Sequence, residues 1–236
     1  VAAKKAVFGV SFSIKVIAHS QRAEMAERLA KSVGADICWD AREAENLGTN
    51  VGCALTHLDA LKKFAFSDSE WVVCLEDDAQ PVGNFDVHLA AALEYAPAPV
   101  VGLYLGTGNP SGEAQRQIRQ AVVAAQETNK AWLMADCLIG SVGYAVETHL
   151  LPDLIDFITD REEELPLRIS RWAQDRGISI CYTAPSLVNH DDGDSIGLPW
   201  RGPKRLQRRA WWCGTRSSWN TGTVKLGYCP VWSKPK

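Results

Sequence analysis

Apolar and polar residues fall in short blocks that switch between helical and strand periods along most of the chain. Residues 16–19 end an apolar strand. Ser20 then stands as an N-cap ahead of Ala23, Ala26, Leu29, Ala30 and Val33, which recur at helical spacing up to Gly34. Residues 37–39 predict a short second strand. After a polar loop containing Gly48 and Gly52, the run 53–66 sets Leu55, Leu58, Leu61 and Ala65 on or near one helical face, with Ser67-Asp68-Ser69 as its stop. Residues 71–75 are apolar without interruption, as in a strand buried on both faces.

The same reading continues downstream. Asn84 caps a helix through residue 95, 100–105 form a buried strand, 106–112 a glycine-rich turn, 114–126 a helix and 132–135 a strand. Residues 140–146 read as a strand after a bend, 150–159 and 166–175 as helices, and 178–182 as a last strand running into Pro185 and a loop at 189–196. Strands alternating with amphipathic helices predict an α/β fold, a mainly parallel sheet flanked by helices.

Charge divides what periodicity leaves whole. Pro199 to Lys236 carries nine basic residues and no Asp or Glu, so the first 198 residues hold 16 basic against 28 acidic, a net of −12 beside +9 in the tail. The boundary predicts a catalytic domain over 1–198 and a basic, tryptophan-rich C-terminal extension over 199–236. Lys4-Lys5 and the apolar run 6–14 have the outline of a signal peptide, but Ser11, Ser13 and Lys15 break it and the run resumes at Val16 as a strand would. No stretch approaches the roughly 18–20 apolar residues of a membrane span. The seven cysteines are scattered, without CxxC pairs, which suggests neither a zinc site nor a disulfide framework. The expectation is a soluble, cytoplasmic protein, in the host cytoplasm if viral.

The densest chemistry is Glu76-Asp77-Asp78 at the end of the 71–75 strand. In an open α/β sheet, ligands bind at the carboxyl ends of strands. Three adjacent acids repel one another, and are tolerated there if solvated or if a divalent cation neutralises them. Hard oxygens suit Mg²⁺ or Mn²⁺, which bind diphosphates and offset charge on a departing nucleotide.

The run Asn50-Val51-Gly52-Cys53-Ala54-Leu55-Thr56-His57, followed by Trp71-Val72-Val73-Cys74-Leu75-Glu76-Asp77-Asp78-Ala79, resembles the GCALSH and LEDDA signature of family 25 glycosyltransferases, the lipopolysaccharide and collagen galactosyltransferase relatives. Weaker parallels lie at Arg22, at Gly143-Tyr144-Ala145, and from Pro185-Ser186-Leu187-Val188 to Ser195-Ile196. The resemblance implies a GT-A fold, a UDP-type nucleotide-sugar donor with Mn²⁺ or Mg²⁺, and a triplet acting as a metal and ribose site. Carried over, Asp78 is the metal residue, Glu76 lies on the ribose side, and Asp77 is structural or a second ligand. His57 is assigned to the donor pocket, with His19 and Arg22 facing the donor. His190 follows the last strand where a late metal ligand would, with Asp191, Asp192 and Asp194 as rivals. Asp136 is the candidate base on the acceptor hydroxyl, with Asp192 its rival, and the stereochemistry is unassigned.

Five of the nine tryptophans lie in the tail. Arginines interleaved with indoles suit phosphates and unpaired bases. Arg201, Lys204, Arg205, Arg208, Arg209, Trp211 and Trp212 are therefore candidates for a nucleic-acid surface, and a hydroxymethylated base in DNA, of the sort bacterial viruses glycosylate, is a candidate acceptor. Alternatively the tail wraps the acidic domain with its tryptophans as anchors, or docks an acidic glycan, a lipid surface or a phage structural protein. Beside a DNA, glycan or protein glycosyltransferase stand two other classes: a nucleic-acid-binding module on a transferase fold, and a nucleotide-sugar hydrolase or nucleotidyltransferase.

Overall fold

The computed structural model describes residues 5–7, 9–40, 49–107, 112–191 and 207–226. Strand β1 (Lys5–Val7) turns back into β2 (Val10–Ala18), a short 3-10 turn (Ser20–Arg22) leads into α1 (Ala23–Val33), and β3 (Asp36–Trp39) and α2 (Thr49–Phe64) follow. Then come β4 (Trp71–Glu76), β5 (Ala79–Pro81), α3 (Phe85–Glu94), β6 (Val100–Gly102), α4 (Glu113–Glu127), β7 (Trp132–Ala135) and β8 (Gly143–Glu147). The chain continues through α5 (Leu151–Thr159), α6 (Leu165–Arg176), β9 (Ile180–Thr183), β10 (Val188–His190) and β11 (Thr223–Lys225).

Nine strands form one sheet in the order β1-β2-β4-β8-β6-β9-β7-β11, with β3 alongside the second half of β2 on the edge that β1 uses in the first half. Pairings β2–β3, β2–β4, β6–β9 and β7–β11 are parallel, whereas β4–β8, β6–β8, β7–β9 and β1–β2 are antiparallel. Strands β2, β3, β4, β6 and β9 therefore all point to one edge. Helices cover both faces: α2, α4, α5 and α6 pack on one, α1 and α3 on the other. The fold is thus an α/β mixed sheet between helical layers. No described helix is long and apolar enough to cross a membrane.

The alternation in β2 shows why these residues make a central strand. Phe12, Ile14, Val16 and Ala18 enter the core under α1 and α3, while Ser13, Lys15 and Ile17 face the other way. The polar members of that second face are buried and partnered: Lys15 pairs with Asp36 at 3.1 Å, and Ser13 meets Ser67 at 3.3 Å. The residues that blur a signal-peptide pattern are thus the half of the strand that turns toward α2, with Lys15 over the Phe64 ring. Ser20 is not the cap expected of it. His19 caps the 3-10 turn, its Nδ1 accepting from the Gln21 amide at 3.3 Å, and α1 begins only at Ala23, after Arg22 and without a side-chain cap. At its far end Gly34 adopts φ +58°, the left-handed conformation that closes a helix.

The tail does not stand apart. Residues 207–226 cross the domain, add β11 to the sheet edge beside β7, and bridge at Gly106–Ala210 and Ser186–Cys213. Trp219 is buried against Trp132, with ring centroids 5.4 Å apart, and its carbonyl accepts from the Trp132 indole at 2.9 Å. Arg216 donates to the carbonyls of Lys130, Ala184, Asn129 and Ser218. The boundary expected near residue 199 lies outside the described residues. Of the described cysteines, Cys38, Cys53, Cys74, Cys181 and Cys213 are free, whereas Cys137 is disulfide-bonded, a cross-link that the scattered spacing did not announce.

Candidate active site

The acidic triplet ends β4 at the edge to which the parallel strands point, in the wall of a cleft of about 350 Å³. The ends of β2, β3 and β4, the 139–142 segment, the start of α6 and His190 surround it. Asp77 turns inward as a structural tie: its carboxylate accepts from the His19 amide at 2.9 Å and from Arg22 Nη1 at 2.9 Å, fastening the end of β2 to the end of β4. Arg22 also bonds Asp78, so a single guanidinium neutralises two neighbouring acids.

Asp78 is buried, and its Oδ1 has no hydrogen-bond partner among the described residues. Burial, and then the charge of Glu76, push its carboxyl up to about 7 against the pull of Arg22. His190 stands 3.4 Å from Asp78 Oδ2 through Nε2. The two meet because β5, directly after the triplet, pairs antiparallel with β10 in the register His190 to Ala79, and the Asp191 amide donates to the Asp78 carbonyl at 2.8 Å. Two three-residue strands, one ending in proline, thus carry the late histidine over the acidic turn. A periodicity argument has nothing to grip in elements this short.

Glu76 faces the cleft and accepts from the Ser141 hydroxyl. Burial alone would push its carboxyl up, but His57, Ser141 and His190 outweigh this and hold it below the ordinary range. His57 does not line the cleft: it is wholly buried beneath the floor, with Nδ1 3.1 Å from the Tyr144 hydroxyl and Nε2 3.5 Å from Glu76 Oε1. It acts on the cleft through Glu76.

His19 and Arg22 line the cleft. Asp136 does not. Strand β7 runs antiparallel to β9, so Asp136 leaves the sheet at the edge where β9 enters it, opposite the triplet, with an exposed side chain. Asp192, Asp194, Arg201, Lys204 and Arg205 lie outside the described residues. Arg208 reaches the cleft and Arg209 is exposed, while Trp211 and Trp212 pack on the core, the Trp211 indole donating to Gln115 at 2.8 Å.

Sequence reasoning passed over Asp40, Cys53, Tyr104, Ser141 and Glu164, all of which line the cleft. Asp40 carried a readable signal, since it follows β3 as the triplet follows β4. Its carboxylate also explains Gly52: a Cβ there would stand 2.8 Å from Asp40 Oδ2, so the glycine of the first motif lets the acid approach α2. Ser141 and Glu164 sit in connections whose position only the folded sheet decides.

Fold and site together define an α/β protein with an acidic cleft at the carboxyl edge of its parallel strands. No family model and no curated protein matches the chain. Among solved structures it is similar to CMP:2-keto-3-deoxy-manno-octonic acid synthetase complexed with CTP, at 11% identity over 74% of this chain and 92% of that one, with a TM-score of 0.35. It is also similar to the inositol-1-phosphate CTP transferase from T. maritima, at 11% identity over 74% of this chain and 66% of that one, with a TM-score of 0.36. Likeness at this level says nothing about the chemistry of the cleft, and the resemblance to family 25 glycosyltransferases rests on its two motifs.

Proposed function

We propose that the chain is a divalent-metal-dependent glycosyltransferase that moves a sugar from a UDP-type nucleotide-sugar to an acceptor hydroxyl. The observation that carries this reading is the meeting of Asp78 and His190, both buried and 3.4 Å apart in the wall of the strand-end cleft, with Asp78 Oδ1 unbonded among the described residues. An orphaned carboxylate oxygen beside an imidazole is a donor set that fits Mn²⁺ or Mg²⁺. Asp78 and His190 would hold the ion, which when bound supplies charge stabilisation to the departing diphosphate.

The chain's own residues take the remaining tasks. Asp77 locks the two strand ends, so that Asp78 is presented at a fixed place. Arg22 limits repulsion within the triplet. Glu76, kept ionised by its surroundings, offers an oxygen to the ribose hydroxyls of the donor. Asp40 and Glu164, the carboxylates beyond the triplet that line the cleft among the described residues, replace Asp136 as candidates for the base on the acceptor.

A hydroxymethylated base in DNA stays among the proposed acceptors, beside glycans and proteins. In the described tail, Arg216 and Trp219 are committed to internal contacts, which favours the packing role for that part of it. The test is incubation with a panel of nucleotide-sugars and Mn²⁺ together with hydroxymethylated DNA, glycan or protein acceptors, read by mass spectrometry. Transfer that disappears in Asp78→Asn supports the proposal. Failure to consume any donor would sink it, and pyrophosphate released from a nucleoside triphosphate would move the reading to nucleotidyl transfer.

A further inference from the structure

We infer that Cys53, His57 and Glu76 form a second metal site, for a thiophilic divalent ion such as Zn²⁺, in the floor of the cleft beside the Asp78–His190 pair. Cys53 and His57 are four residues apart on α2 and so share one helical face, which they turn toward the end of β4. The Cys53 sulfur, an imidazole nitrogen of His57 and a carboxylate oxygen of Glu76 all lie within 4.8 Å of one another.

In a tetrahedral zinc site the bond lengths of sulfur, nitrogen and oxygen donors put neighbouring ligand atoms roughly 3.3–3.6 Å apart. The His57–Glu76 edge already stands at 3.5 Å. The sulfur, within 4.8 Å of both, is the ligand atom that has to draw in.

The histidine supplies the independent sign. His57 is fully buried, and its Nε2 makes no hydrogen bond among the described residues although it stands 3.5 Å from a carboxylate oxygen. Its other nitrogen meets the Tyr144 hydroxyl at 3.1 Å, the outer partner that fixes ring orientation for metal-binding imidazoles. In a metal-bound form Nδ1–H would donate to Tyr144 and the Nε2 lone pair would stand 3.5 Å from Glu76 Oε1, a separation that two ligands of one cation adopt.

Donor chemistry sets this site apart from its neighbour. A thiolate, an imidazole and one carboxylate suit Zn²⁺, whereas Mg²⁺ takes a shell of hard oxygens. Coordination takes the sulfur as thiolate, the Cys53 proton passing to water. Cys53 and Glu76 both line the cleft, so the fourth position opens to solvent or to a bound molecule, as in zinc sites that exchange a ligand.

The test is optical titration of the metal-free full-length protein with Co²⁺, with Zn²⁺ then added to displace it. The expected result is one equivalent giving a thiolate-to-cobalt charge-transfer band and visible bands of four-coordinate intensity, both quenched by Zn²⁺. Cys53→Ser should abolish the charge-transfer band. Glu76→Gln should weaken binding by about 10–100-fold. Cys213→Ser should leave the spectrum unchanged. Absence of the band from folded wild-type protein overturns the inference, as does a band that survives Cys53→Ser or vanishes in Cys213→Ser. Because no donor or acceptor enters the experiment, its outcome is independent of whether the chain transfers sugar.

Discussion

Replacing Asp78 by Asn keeps the shape of the turn and removes the charge that burial and Glu76 oppose. With the carboxyl raised to about 7 in the folded protein and about 3.9 in the unfolded chain, the shift is roughly three units, or on the order of 4 kcal/mol. The sign follows from an acid whose folded value is raised. Below about pH 4 both states are protonated and the group costs nothing. From pH 4 to 7 the unfolded chain ionises while the folded protein resists, so stability falls, and above about pH 7 the full cost stands. Asparagine removes that cost but weakens the hold on Arg22, a loss of about 1–3 kcal/mol. Arg22 keeps Asp77, so the net expectation for metal-free protein at pH 8 is a gain of roughly 1–3 kcal/mol, set against no gain or a loss at pH 4. Urea denaturation at both pH values measures it. Saturating Mn²⁺ should stabilise the wild type at pH 8 and leave the variant unmoved. A variant destabilised equally at both pH values would refute the electrostatic reasoning.

His190→Ala should weaken Mn²⁺ binding by about 10–100-fold, measured by calorimetry, while far-UV circular dichroism stays unchanged. Trp219→Ala should cost about 3–5 kcal/mol in denaturant unfolding, because the ring is buried against Trp132; a cost near zero would show that the tail is not part of the core. Arg208→Ala should raise the dissociation constant for a nucleotide diphosphate by about tenfold, as expected for one charge-assisted contact in the cleft, with little change in stability.

What the sequence disclosed and what it hid divide along physical lines. Strand β4 and its acids were legible because, in a layered fold, an unbroken apolar run ending in charge marks a buried strand that reaches the sheet edge. Helices α1 and α2 followed from the spacing of their apolar residues. Hidden were the elements whose existence depends on partners far along the chain: β5 and β10 are three residues each, and only their pairing brings His190 to Asp78. Strand direction is equally silent in a sequence, so nothing there shows that Asp136 leaves the sheet at the edge opposite the triplet. His57 lies on a helix whose residues 54–61 are mostly buried, so the pattern could not tell a residue under the floor from one in the pocket. In the tail, composition registered nine positive charges but not that Arg216 is spent on backbone carbonyls.

The central claim is that Asp78 and His190 bind a divalent ion that a nucleotide-sugar requires. Isothermal titration of the wild-type protein with UDP-sugars, in Mn²⁺ and then in chelator, tests it directly. Binding that appears with Mn²⁺, is lost with chelator and is weakened at least about tenfold in Asp78→Asn is the predicted result. Equal binding with and without the ion, or in wild type and variant alike, would contradict it.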